Sequence, residues 1–204
     1  MKLFQHPISG NSRRVTLTAA HLGLALETRA IDLASPEDRK VLVAINPNNK
    51  IPVLVDGDLV LWESNAIMKY LCAQVPGQTL YPADARGQAD VDRWIHWTTA
   101  HLVSAVAPIN MERLWKKYRG GGDPDQTIID RAEVMFHQAA RVLEAHLTGR
   151  SWLVGDAPTL ADFSLAPVFL YAVEAKLPVD PYPNIRAHRQ RVFALPAWQA
   201  TEAR

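Results

Sequence analysis

The stretch from Asn46 to Leu71, NPNNKIPVLVDGDLVLWESNAIMKYL, decides the fold. Asn46-Pro47-Asn48-Asn49 is dense in residues that tolerate turn conformations. Pro52-Val53-Leu54-Val55 is a short apolar run, and Asp56-Gly57 is a strong two-residue hairpin signal. Leu59 to Trp62 returns antiparallel. Glu63-Ser64-Asn65 breaks the run, after which Ala66, Ile67, Tyr70 and Leu71 recur at helical spacing. A proline opening an apolar strand lacks an N–H and leaves the main chain of Ile51 free for another partner. At the following helix start, the Ser64 hydroxyl and the first-turn N–H groups can gather an anion. An extended peptide could therefore lie along Ile51 with its carboxylate at Ser64. Taken singly, Pro52 reads as an edge-strand residue and Ser64 as a helix cap.

Together these residues resemble the glutathione site of the cytosolic glutathione transferases, in their thioredoxin-like N-terminal domain. The family pattern is Asn-Pro-x-Gly-x-hydrophobic-Pro-x-Leu followed by Glu-Ser-x-Ala-Ile. This chain has NPNNKIPVL and ESNAI. Asn49 replaces the usual glycine, and asparagine is the other residue that readily visits the left-handed region. The resemblance implies a cis Ile51-Pro52 bond. It also implies that Ile51 pairs its main chain with the cysteinyl part of glutathione, Lys50 meets the glycyl carboxylate, and Glu63 and Ser64 hold the γ-glutamyl end.

The flanking chain fits that order. A short strand covers Lys2 to Gln5, and a helix runs from about Ser12 to Leu22 with Gly23 at its C′ position. A second strand covers Glu27 to Leu33, and a helix opens at Ser35-Pro36-Glu37 and ends before Asn46. The order β-α-β-α-β-β-α is that of a thioredoxin-like domain over residues 1–75. Residues 76–86 carry two prolines and a glycine without periodicity and read as a linker. Residues 87–204 read as all-helical. Asp92 to Tyr118 forms a long helix bent at Pro108, and Asp125 to Leu147 a second one. Thr159 to Asp162 forms a capping box, with a structural role. The fold class is α/β thioredoxin-like followed by an all-α domain.

Composition narrows the function. The chain has 204 residues, 48% of them hydrophobic, enough for one large or two small cores. A formal charge of +1 argues against nucleic acid as partner. No apolar run approaches a membrane span, and the first residues are no signal peptide. The single cysteine, Cys72, excludes an internal disulfide and any CxxC site, and points to a reducing, cytoplasmic setting. No metal site is expected.

Glutathione chemistry needs a thiolate, since a thiol with pKa about 8.5 is only slightly ionised at neutral pH. Donors at a loop entering a helix N-terminus supply that stabilisation. Here the loop reads Ile8-Ser9-Gly10-Asn11-Ser12-Arg13-Arg14-Val15. It is similar to the serine-type (phi- and theta-like) transferases. Matched on the Arg-Val end, Ser9 takes the place of the thiol-activating serine, with Asn11 and Ser12 as alternatives. Ser12 also reads as an N-cap, and Arg13 and Arg14 as a solvated first turn. No cysteine or tyrosine stands in the loop, which disfavours the cysteine-type and tyrosine-type classes.

From the second helix of the domain, Arg39 or Lys40 beside Asp38 could supply a further basic contact. Pro108, Met111 and Trp115 share one helix face, and the resemblance implies that this face and Ile8 line the site of a small hydrophobic electrophile, although ordinary core packing also suits them. The expected function is a glutathione S-transferase acting as a homodimer, with glutathione as co-substrate. The dimer would form where the helix from Ser64 meets the partner's long helix. The alternatives are a glutathione-dependent isomerase or dehalogenase, or a non-catalytic ligand-binding module.

Overall fold

A computed structural model describes residues 1–201. They form two compact units, Met1–Pro82 together with the chain from Ala194 on, and Ala83–Phe193. The C-terminal residues from Ala194 to Thr201 thus belong with the first unit, although the sequence suggests a helical domain running from 87 to the end.

In the first unit the elements are β1 (Lys2–Gln5), α1 (Gly10–His21), β2 (Glu27–Ala30), α2 (Pro36–Ile45), β3 (Val53–Asp56), β4 (Leu59–Trp62) and α3 (Ser64–Ala73). They make a four-stranded sheet in the order β2-β1-β3-β4. β1 runs parallel to β2 and antiparallel to β3, and β3 is antiparallel to β4. This is the thioredoxin-like arrangement. The register places Leu3 opposite Leu54 and Phe4 opposite Val53. Because neighbouring strand residues point to opposite faces, Leu3 and Leu54 join Val15, Ala19, Ile67 and Leu71 in one core. Phe4 and Val53 join Ile31, Leu42 and Ile51 in the other.

Local chemistry sets the boundaries. α1 starts earlier than its periodicity suggests: its N-cap is Ser9, whose hydroxyl accepts from the Ser12 N–H at 3.2 Å. Gly23, at φ +68°, closes α1 as expected, with the Leu24 N–H reaching the Ala19 carbonyl at 2.9 Å. The hairpin turn residues are Gly57 and Asp58, since Asp56 pairs with Leu59. Gly57 takes the first central position at φ +60°, where a two-residue hairpin needs it. β2 stops at Ala30, short of the expected Leu33.

In the second unit α4 (Ala85–Trp97) starts seven residues before Asp92, capped by Asp84, which accepts from the Gly87 N–H at 2.9 Å. The helical path continues through α5 (Ser104–Asn110) and α6 (Lys116–Tyr118), joined by π-wound stretches at Thr98–Val103 and Met111–Trp115. Pro108 lies inside α5, and the second π-wound stretch follows it. α7 (Gln126–His146) begins at an Asp125 cap. α8 (Leu160–Leu165) and α9 (Pro183–Phe193) complete this unit, and α10 (Pro196–Ala200) returns to the first. The Asp162 carboxylate accepts from the Thr159 N–H at 2.8 Å and the Leu153 N–H at 2.9 Å, with His188 at 2.7 Å. No described helix is long and apolar enough to cross a membrane.

Candidate active site

The motif residues all lie within the first unit. Asn46, buried at the end of α2, organises the turn ahead of β3. Its side-chain amide donates to the Lys50 carbonyl at 2.7 Å, and its oxygen accepts from the Asn48 N–H at 3.0 Å. Asn49 adopts φ +52°, the left-handed conformation for which asparagine replaces glycine. The turn delivers Lys50 exposed and Ile51 and Pro52 buried, and the Ile51-Pro52 bond is cis.

At the other end of the hairpin, Glu63 sits at φ +71° as the N-cap of α3, with no capping bond from its side chain. A non-glycine residue in that region is uncommon and concentrates at functional sites. Glu63 is exposed, and Ser64 is buried at the first position of α3. Ser64 is therefore not the cap; it is one of the first-turn residues whose N–H groups point outward.

The loop after β1 closes the arrangement. Ser9 is half-buried, and its hydroxyl oxygen accepts the Ser12 N–H. Among the described residues that hydroxyl donates no bond, so its proton is free to point at a ligand. The Ser12 hydroxyl is turned inward, accepting from the His6 N–H at 3.4 Å, and only 1% of Ser12 is exposed. Arg14 donates to the Asn11 side-chain oxygen at 2.7 Å and to the Ser64 hydroxyl at 3.4 Å. A guanidinium only donates, so the Asn11 amide must turn its oxygen inward and its NH₂ toward solvent.

Both arginines correct the sequence reading. Arg13 and Arg14 are 4% and 5% exposed, far from a solvated first turn. Burial pulls the Arg14 pKa down to about 10, opposed by the negative charge of Glu63. It remains a cation at neutral pH, held behind Asn11 and Ser64. A signal existed in the sequence: Arg14 precedes Leu17 and Thr18 at the spacings that share one helix face, and both of those residues are buried.

Other candidates have prior commitments. Asp38 pairs with Arg29 at 3.3 Å and accepts the Asp32 N–H at 2.8 Å, and Arg39 donates to the Leu33 carbonyl at 2.5 Å. Those bonds build the β2–α2 connection. Ile8 is 49% exposed in the first unit. In the second unit Met111 and Trp115 are half-buried, with Trp115 edge-on to Tyr171 at 5.2 Å. Among the described residues no group of three or more His, Cys, Asp or Glu side chains could hold a metal ion.

Comparison with known proteins identifies the family. Residues 1–73 match the glutathione S-transferase N-terminal domain, and residues 95–196 match its C-terminal domain. The chain belongs to the glutathione S-transferase family. Glutathione S-transferase 3 of Zea mays is 32% identical over 211 residues, covering 100% of this chain and 93% of the maize protein. The crystal structure of glutathione transferase F7 from Populus trichocarpa superposes with a TM-score of 0.89 at 28% identity, over 98% of this chain and 96% of that one. Glutathione S-transferase-I bound with lactoylglutathione superposes at 0.84 and 29% identity, over 98% and 97%. As a glutathione S-transferase the chain is an enzyme that joins glutathione, its co-substrate, to electrophiles.

Proposed function

We propose that this transferase is of the serine type, with Ser9 donating to the glutathione sulfur. The observation that carries the reading is the state of the Ser9 hydroxyl. It receives the Ser12 N–H at 3.2 Å at the N-terminus of α1, and its own proton is uncommitted among the described residues. A donor so placed stabilises the thiolate, which attacks the electrophilic carbon. A carbon–sulfur bond forms as the leaving group departs or a polarised double bond is saturated. The Asn11 NH₂, turned outward by Arg14, is the alternative donor. Buried Ser12 is the weakest of the three.

Glutathione itself would lie with its γ-glutamyl end at Glu63 and Ser64, its cysteinyl main chain on Ile51 beside Pro52, and its glycyl carboxylate at Lys50. A relative bound with lactoylglutathione supports a site for the tripeptide in this fold. The electrophile is a small hydrophobic molecule. We place the enzyme in the cytoplasm, where glutathione and a lone buried thiol both stay reduced.

The test is the absorbance of enzyme-bound thiolate against pH. Ser9→Ala is expected to raise the titration midpoint and to cut kcat at neutral pH, with less loss at high pH. KM for glutathione should change little, because the other residues still hold the tripeptide. A parent-like titration in Ser9→Ala together with a raised one in Asn11→Ala would transfer the role to Asn11.

A further inference from the structure

Arg13 stands where a cation is electrostatically unfavourable, in the first turn of a helix whose N-terminus is already positive. It is also buried, and a buried charge persists only when it is paired or well bonded. Its partners lie 185 and 188 residues further along the chain. One guanidinium nitrogen donates to the Trp198 carbonyl at 2.6 Å and the other to the Thr201 carbonyl, both at the C-terminal end of α10. The guanidinium carbon lies over the Trp198 ring, 4.6 Å from its centroid, and Trp198 is 1% exposed. A planar fork that bonds two carbonyls while its charge lies over an indole is a task for arginine and not for lysine.

The other end of Arg13 is the Ser9 turn. The Arg13 N–H donates to the Ser9 carbonyl at 2.8 Å, immediately beside the Ser12 N–H that holds the Ser9 hydroxyl. Helix ends are the least stable part of a helix and open first. The N-terminus of α1 is such an end, and it is the one that would hold the hydroxyl in position.

We infer that Arg13 is a positioning residue for the conjugation reaction: by clamping α10 against the first turn of α1, it keeps the Ser9 turn closed and the hydroxyl aimed at the sulfur. The C-terminal helix thereby becomes part of the thiol-activating apparatus. The inference rests on Ser9 as the donor, and the experiment separates the two.

The bound-thiolate titration is measured with glutathione on the full chain for the parent, Arg13→Met, Trp198→Leu, Ser9→Ala and Leu80→Ala. Leu80 is fully buried in the first unit and makes none of the bonds named above, so it reports general destabilisation. Arg13→Met keeps the stem and removes both donors. The expected result is a midpoint raised by about one pH unit, which is about a tenfold smaller thiolate fraction well below it. Exchange at the Ser12 amide should quicken, and KM for glutathione should hold while kcat falls. Trp198→Leu loosens the clamp from its other end and should shift the midpoint in the same direction. Leu80→Ala should lower the melting temperature and leave the midpoint alone.

A parent-like midpoint in Arg13→Met, with Ser9→Ala shifted, overturns the inference and leaves Ser9 standing. If Ser9→Ala titrates as the parent while Arg13→Met shifts, another donor of the same turn is being positioned. The Ser9 assignment then falls and the clamp stands. Should Arg13→Met not fold, Trp198→Leu decides: an unshifted midpoint there overturns the inference.

Discussion

Arg14 holds Asn11 and Ser64 from behind, and charge-assisted bonds of this kind contribute about 1.5–3 kcal/mol each. Arg14→Met should raise KM for glutathione by about tenfold or more, since each 1.4 kcal/mol is a factor of ten, and should free the Asn11 amide to turn. Steady-state kinetics with glutathione as the varied substrate checks this; an unchanged KM would show that Ser64 needs no support from Arg14. Cys72 carries a different consequence. Burial pushes its thiol up to about 12. The folded state therefore keeps this proton over a pH range in which the unfolded chain, with an ordinary cysteine pKa of about 8.5, has lost it. Stability should fall as pH rises above about 9, by up to about 1.4 kcal/mol per unit, until the folded thiol ionises too. Cys72→Ala should flatten that decline in urea titrations from pH 8 to 11. An identical slope in parent and variant would count against it.

Among the elements, α8 depends most on a single residue. Both Asp162 oxygens are used, one by Thr159 and the other by Leu153 and His188, and Asp162 is 0% exposed. Asp162→Ala strands two buried N–H donors and a buried imidazole, and removing one partner of such a network costs about 3–5 kcal/mol. A fall in the urea midpoint with little change in slope is the expected result; a midpoint within error of the parent would mean that water replaces the carboxylate. This box was legible in the sequence because its partners lie three residues apart. So were the Asn46 turn, the left-handed Asn49 and the Gly23 stop, all fixed by neighbours along the chain, while the cis Ile51-Pro52 bond was expected from the family resemblance. The burial of Arg13 was not, because its partners come from α10, far off in sequence, and that of Arg14 left only the spacing to Leu17 and Thr18 as a signal, since Ser64 lies in α3. The true start of α1 was hidden for another reason: Ser9 and Ser12 are both good caps, and only the inward turn of Ser12 separates them. The start of α4 was missed differently, since Pro82 and Gly87 mask the cap at Asp84.

At the scale of the whole molecule, the exposed apolar side chains lead us to expect a second copy. On edge strand β4, Leu59, Val60 and Trp62 are 36%, 40% and 39% exposed, and the strand has no outer partner among the described residues. On α7, Val134, Met135 and Val142 are 45–59% exposed, and Met135 and Val142 border a cavity of about 280 Å³ with Trp97, Ala100 and His101. Monomers seldom leave large apolar patches in water, and an edge strand left bare invites pairing. A two-fold arrangement would satisfy both patches on both copies, because each copy offers what the other lacks. We therefore expect a homodimer in which α3 and β4 of one protomer meet the helical unit of its partner. Sedimentation at micromolar concentration should show twice the chain mass. Val134→Glu and Trp62→Glu act on different units of the chain, yet in a two-fold dimer each places a charge in both copies of the interface. Either alone should shift the equilibrium toward monomer, with the melting temperature becoming strongly dependent on protein concentration. A parent that sediments as a monomer would remove the prediction. A dimer indifferent to both substitutions would place the contact on another face.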